Sequence, residues 1–431
     1  MIAILNWADL DKAAQEAALT RAKVEGGDIS GAVRAIMDEV RRDGDAALRH
    51  LTKKFDGCDM PVGFVSQEEF IAAEKGLPAA LRTALLDAIN AIEIFHKAQM
   101  PKVVKVETRP GVLCELQWRA IERVGLYVPG GSAPLLSTLL MLAIPAHLAG
   151  CLTCILCTPP GKDGSIDSGI LAAARLCGIT QVLPLGGAQA IAALAYGTET
   201  VPKVDKIFGP GNAYVTIAKQ LAAQQALGPA IDTPAGPSEV MVLADAAANP
   251  AWIAADLLAQ LEHGPDSQAL LVALDAALAR AVQSEIEKRR ENLSRKSLID
   301  KSLVHSHIIV APDLSEAFEI VNRYAPEHLI LSGRQAAEWV GKIQNAGSVF
   351  VGAFAPETAG DYASGTNHVL PTAGAARAYG SLSLTSFMKT MSVQTITQQG
   401  LAALAPTLTT LAQAEGLDAH AAAVTVRTEA A

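Results

Sequence analysis

VGLYVPGGSAPLLSTLLMLAIPAHLAGCLTCILCTPPG (124–161) decides the fold. The stretch holds no Asp, Glu, Lys or Arg, so it belongs in an apolar setting. A membrane-spanning helix needs about 20 continuous apolar residues. Here Pro129, Gly130, Gly131, Pro134, Pro145, Gly150, Pro159 and Pro160 cut the run into shorter pieces. They read as a strand (124–129), a loop, a helix (135–150) that Pro145 can bend, and a second strand (151–160). The same rhythm continues downstream. GILAAARLCG is helical, TQVLPLGG a strand, AQAIAALAYG helical, VDKIFGPG a strand and AYVTIAKQLAAQQA helical. Such a series is the pattern of a doubly wound parallel sheet.

A second series follows. SEVMVLAD, SQALLVAL, SHIIVAP, HLILSG and GSVFVGAF are predicted strands. PAWIAADLLAQLEHG, DAALARAVQSEIEKRRENL and the stretches 313–324 and 334–345 are predicted helices between them. The fold class expected is α/β: two Rossmann-like doubly wound αβ domains with a helical N-terminal segment and a C-terminal tail. The boundaries are 1–123 for the helical lead-in, packing with 237–375; 124–236 and 237–375 for the αβ domains; and 376–431 for a tail reaching a partner subunit. Asp28 or Ser30 is the expected cap of the helix running to Phe55. A cleft between the αβ domains is the expected ligand site, at the carboxyl ends of strands.

Composition narrows the function classes. The chain has 431 residues, 35 Lys plus Arg, 44 Asp plus Glu and a formal net charge of −9. That balance gives no footprint for nucleic acid or an anionic membrane. With 50% hydrophobic and 18% charged residues, a large core is expected and disorder is not. Six cysteines are too few for a disulfide scaffold, and the first residues lack the features of a secretory signal, so a cytoplasmic protein is expected. Cys151, Cys154 and Cys157 imitate a cluster-binding spacing. In a strand, positions three apart face opposite ways, so these thiols read as small buried hydrophobes.

Three glycine loops follow predicted strands: VPGGSAP (128–134), LGGAQA (185–190) and FGPGNAY (208–214). Backbone amides in such loops can approach an anion at a helix N-terminus. The dinucleotide fingerprint is incomplete, because Tyr214 stands where its third glycine belongs. Four histidines lie in polar, turn-rich settings with a carboxylate nearby: His263, His328, His368 and His420. Imidazole with carboxylate makes either a metal site or a proton-transfer pair, and the spacing leaves both open.

Taken together, IFGPGNAYVTIAKQ (207–220), DTPAGPSEVMVLAD (232–245), QLEHGPDSQ (260–268), YAPEHL (324–329), GDYASGTNHVLPT (360–372) and EGLDAH (415–420) resemble the histidinol dehydrogenase family. The resemblance covers about 25–425, with the motifs in the family's order. It implies oxidation of L-histidinol to L-histidine through L-histidinaldehyde, with two NAD and one Zn2+ per subunit. It implies zinc ligands Gln260, His263, Asp361 and His420, the last from the other subunit of a homodimer. It implies Glu327 and His328 as the catalytic pair. Substrate contacts fall on Ser238, Gln260, His263, Glu327, His328, Asp361, His368, Glu415 and His420. Cofactor contacts fall on Tyr127, Gln189 and Asn212, one in or beside each glycine loop. Residue chemistry agrees in part. Gln260 and His263 are three apart and would share a helix face. Spacing alone favours Glu262 over Gln260 as a ligand, and leaves Glu327 open to a purely structural reading. A related enzyme acting on another small primary alcohol is the alternative reading.

Overall fold

The computed structural model describes residues 1–21, 29–130, 134–233 and 236–429. Asp28, one of the two expected caps, lies outside them. Two parallel sheets carry the chain. The first has the strand order Gln181–Pro184, Thr153–Thr158, Arg123–Tyr127, Lys206–Phe208, Ala230–Ile231. The chain starts in the middle, steps outward twice, then returns to the other side. The second sheet repeats the path: His307–Val310, Gln268–Ala273, Glu239–Ala244, His328–Ser332, Ser348–Val351. Each sheet therefore has a switch point beside its first strand, between Arg123–Tyr127 and Lys206–Phe208 and between Glu239–Ala244 and His328–Ser332.

The strand sequences explain this. EVMVLA, QALLVA and HLILS are buried at every position, because helices cover both faces of a parallel sheet. Helix Leu136–Ala149 runs through Pro145 and is buried from Thr138 to Ala146, which accounts for its lack of charge. Among the described residues no helix is long and apolar enough to cross a membrane.

The lead-in departs from expectation. Ala3–Asn6 is a strand that extends the second sheet beside His307–Val310. Helix Lys12–Ala18 stays with the second sheet, Ala18 and Leu19 packing in its core, whereas the helices from Ser30 on pack on the first sheet's unit and not on 237–375. Ser30–Phe55 lies on Gly187–Tyr196 and Ala213–Ala223, Gln67–Gly76 on Ser168–Leu176, and Ala79–Lys97 on Leu136–Ala149. The reason is the apolar stripe of Val33, Ile36, Met37, Val40, Leu48 and Leu51, which closes the core on one face of the first sheet. Val104–Arg109 and Val112–Ala120 are strands too: Val112–Ala120 pairs antiparallel with Val104–Arg109 on one side and with Met388–Ile396 of the tail on the other. The helix expected over 334–345 is short. Ala336–Trp339 is α-helical, and the chain then turns where the Asn322 side chain accepts from the Gln344 and Asn345 amides.

Of the cysteine run, Cys154 and Cys157 lie in strand Thr153–Thr158 and face opposite ways, while Cys151 precedes the strand. Cys151 and Cys154 pack with the core on one face of the first sheet, Cys157 with the core on the other. All six cysteines are free, and burial pushes the Cys154 thiol up to about 11, so it is inert.

At the first switch point a buried ion pair holds the FGPGNAY loop. Lys219 Nζ bonds Asp232 Oδ1 and donates to the Gly209 carbonyl at 2.8 Å. Asp232 Oδ2 accepts from the Gly209 amide at 2.7 Å. Gly209 has φ +118°, and a Cβ there would sit 2.0 Å from the Tyr127 carbonyl oxygen. Removing one charge of such a pair leaves the other buried and uncompensated, at about 3–5 kcal/mol. Lys219→Met should accordingly lower the urea midpoint by that equivalent, and adding Asp232→Leu should recover most of it.

Candidate active site

The amino ends of Glu239–Ala244 and His328–Ser332 carry an unusual concentration of buried polar groups. Glu239, Glu327 and His328 are all buried. Val240 pairs with His328 in the parallel ladder. Glu239 therefore lies just outside that ladder, and its peptide groups take side chains as partners. Its amide donates to Glu327 Oε2 at 2.8 Å, and its carbonyl accepts from His328 Nδ1 at 3.1 Å. With Nδ1 donating, the neutral ring keeps its lone pair on Nε2. Buried Nε2 makes no hydrogen bond and stands 3.7 Å from Asp361 Oδ1. Burial would lower His328, yet Glu327 and Asp361 outweigh it and hold the imidazole well above its ordinary value. Burial would likewise raise Asp361, and the facing His328 imidazole holds it low instead.

The site lies at the amino ends of these strands, opposite to the carboxyl-end expectation. Helix Pro250–Leu261 explains how. It runs antiparallel to the strands it covers, so its carboxyl end delivers Gln260 and His263 to this edge. The helix stops at Leu261, so His263 stands just beyond it, its amide donating to the Gln260 carbonyl at 3.3 Å. Gln260 is fully buried, and neither atom of its amide group has a partner. Glu262 lies outside the cluster, its carbonyl accepting from Arg295.

His263, Glu357 and Asp361 bring one ligand atom each within 4.8 Å of one another. Glu357 has no counterpart in the expected ligand set. It is 1% exposed, its Oε2 has no partner, and burial pushes its carboxyl up to about 8. Glu357 and Asp361 are four apart in the short helix Glu357–Tyr362, so they share a face. That spacing, in PETAGDY, is the sequence signal that could have found it. Unpaired buried polar groups are costly. A cation bound by Gln260, His263, Glu357 and Asp361 would satisfy them, and this nitrogen–oxygen donor set suits zinc.

The remaining expected residues divide. His368 joins the site: its Nδ1 bonds the Asp361 carbonyl at 2.8 Å and its Nε2 bonds Thr138 Oγ1 at 3.1 Å. Thr138 belongs to the first sheet's unit, so the site lies where the two units meet. Burial lowers His368, which keeps it neutral. Ser238, half-buried, precedes Glu239 and its carbonyl accepts from the Gln268 amide. Glu415, in the turn after helix Gln398–Ala414, and His420, on helix Asp418–Glu429, are exposed, and the His263–Glu357–Asp361 cluster does not include His420.

The expected cofactor residues gather at the other site, the carboxyl ends of the first sheet. The Tyr127 hydroxyl accepts from the Gly187 amide at 3.0 Å, joining two glycine loops. Tyr127 and Gln189 are buried beneath these loops, and Gln189 Nε2 reaches Asp56 Oδ2 at 3.4 Å. Asn212 is exposed, and its Oδ1 caps helix Ala213–Ala223 by accepting from the Val215 amide. Two helices, Gly187–Tyr196 and Ala213–Ala223, thus present amino ends beside the switch point, a setting that fits a dinucleotide phosphate.

Comparison with known proteins follows the same line. The family model described as histidinol dehydrogenase matches residues 19–428. Histidinol dehydrogenase of Xanthomonas axonopodis pv. citri (strain 306) is 54% identical over 425 residues, 98% of each chain. That of Xylella fastidiosa (strain Temecula1) is also 54% identical, with the same coverage. The crystal structure of histidinol dehydrogenase from Elizabethkingia anophelis superposes with a TM-score of 0.96 at 44% identity, covering 100% of this chain and 98% of that one.

If Glu357 helps to hold a cation, Glu357→Gln should weaken zinc binding by about 10–100-fold, the range found for lost support at metal sites. Competition with a chromophoric chelator would measure this. An unchanged dissociation constant would remove Glu357 from the site.

Proposed function

The chain belongs to the histidinol dehydrogenase family, an oxidoreductase family of histidine biosynthesis, and we propose that it oxidises L-histidinol to L-histidine through L-histidinaldehyde, using two NAD and one zinc per subunit. The observation that carries this reading is His328: a buried imidazole whose Nδ1 is fixed by a carbonyl and whose unbonded Nε2 faces the His263–Glu357–Asp361 cluster.

When bound, zinc supplies Lewis acidity to the alcohol oxygen, and NAD accepts the hydride. Gln260, His263 and Asp361 are its ligands in this chain, with Glu357 beside them. His420 of a second subunit completes the set, and Glu415 from the same tail accepts an imidazole N–H of the substrate. The working unit is a homodimer in the cytoplasm, with neither nucleic acid nor membrane as partner. Tyr127 and Gln189 support the NAD loops from beneath, and Asn212 meets the cofactor.

The chain's own residues move the protons. A primary alcohol holds its proton far above neutral pH, so hydride loss needs a base at the oxygen. His328 Nε2 takes that proton from the neutral state of the ring, which a cation held beside the same carboxylates would favour. The aldehyde has no hydride to give on the way to an acid until water adds to it. Glu327 takes a proton from that water, and the hydrate then loses its second proton to His328, which has by then released the alcohol's proton to solvent. Ser238 and His368 orient the substrate at the rim, where Thr138 fixes His368.

NADH formation from L-histidinol, before and after chelation and zinc add-back, tests the reading. Two NADH per histidinol, lost to chelator and restored by zinc, is the expected outcome. No NADH from histidinol, with turnover of another amino alcohol, would replace the substrate. His328→Asn should largely abolish alcohol oxidation, while Glu327→Gln should slow the hydrated-aldehyde step more than the first. Full activity in both variants would overturn the roles.

A further inference from the structure

Glu239 is a carboxylate at the start of an otherwise apolar, fully buried strand. Its side chain is 2% exposed. Arg21 meets it with two parallel bonds, Nε to Oε1 at 2.5 Å and NH2 to Oε2 at 2.9 Å. The Ala373 amide donates to Oε1 at 2.8 Å. Arg21 is fixed in turn: its NH2 donates to the Tyr324 carbonyl at 2.7 Å, and its guanidinium carbon lies 4.0 Å from the Tyr324 ring centroid. The Tyr324 hydroxyl donates to Gln268 Oε1 at 2.6 Å, and Gln268 Nε2 donates to the carbonyls of His305 and Thr20. The network thus closes on the residue beside Arg21.

Stability alone gives little reason for this arrangement. A buried ion pair is often no more stable than apolar residues of similar volume. What the pair fixes is a backbone. Glu239 holds Glu327 through its amide and His328 through its carbonyl. A turn or shift of this one residue would move both groups at once.

We propose that Arg21 and Glu239 are a positioning pair that acts through the Glu239 peptide groups to hold Glu327 and His328 in working geometry. Neither residue touches the reacting atoms. The inference rests on the proposed roles of Glu327 and His328. It ties Arg21, near the start of the lead-in, to catalysis through a partner 218 positions away in sequence. Lysine cannot reproduce the two-pronged contact. In Glu239→Gln, an amide NH2 would replace an oxygen that accepts from Arg21 or Ala373.

The test uses the zinc-loaded enzyme. In Glu239→Gln and Arg21→Met, kcat should fall about 10–100-fold, the scale expected for small displacements of catalytic groups. KM for histidinol and NAD should stay within about twofold, and zinc content should not change. Arg21→Lys should recover part of kcat. In a His328→Asn background, measured on the residual alcohol oxidation, Arg21→Lys or Glu239→Gln should cost little more, because the group they position for that step is gone. Full kcat in folded Glu239→Gln, or losses that multiply in the His328→Asn background, would overturn the inference. If Arg21→Met does not fold, the Arg21→Lys and Glu239→Gln comparisons still decide. Failure of the functional reading looks different: the unmodified enzyme would then give no NADH from histidinol, or His328→Asn would keep full activity.

Discussion

Strands Glu239–Ala244 and His328–Ser332 lie side by side, with Val240 opposite His328, and both are buried along their whole length. Helices on both faces leave no room for polar side chains within these strands. Polar chemistry is therefore confined to their ends. At the amino end the ladder stops one residue short, and the peptide groups of Glu239 are left facing the segment that carries Glu327 and His328. Everything in the candidate site is arranged around that termination: the end of helix Pro250–Leu261, the short helix Glu357–Tyr362, and the His368 loop anchored on Thr138.

The two sheets follow one path and use opposite ends of it. In the first, the glycine loops gather at the carboxyl ends, where helix amino ends offer amides to an anion. In the second, the catalytic candidates gather at the amino ends. The physical difference lies in what each end supplies. Cofactor phosphates want unpaired N–H groups from loops and helix starts. A cation wants imidazole, amide and carboxylate oxygen, which here come from a helix carboxyl end and a loop. Repeating one topology gives two chemically distinct edges, and Thr138–His368 is a direct contact between the two units.

Buried charge is used sparingly and in pairs. Lys219–Asp232 secures a glycine loop, and Arg21–Glu239 secures a strand end. Each pair fixes a backbone segment that carries functional candidates. Glu357 is different, because burial pushes it up with no fixed cation bonded to its Oε2. Such a group is expensive as structure alone, and a bound cation would repay its desolvation.

Local pattern in the sequence determined the two βα series, because apolar runs separated by Gly and Pro specify strands and helices within a few residues of themselves. It also exposed the motifs around Gln260, His263, Glu327, His328, Asp361 and His368, whose polar residues break that pattern. The tertiary structure alone decided where the lead-in helices pack, that Ala3–Asn6 joins the second sheet, and that the tail strand pairs with Val112–Ala120. It alone brought Glu357 to His263 and Arg21 to Glu239. Those contacts join residues far apart in the chain. Such pairings depend on the summed packing of whole faces, which no local stretch of sequence records.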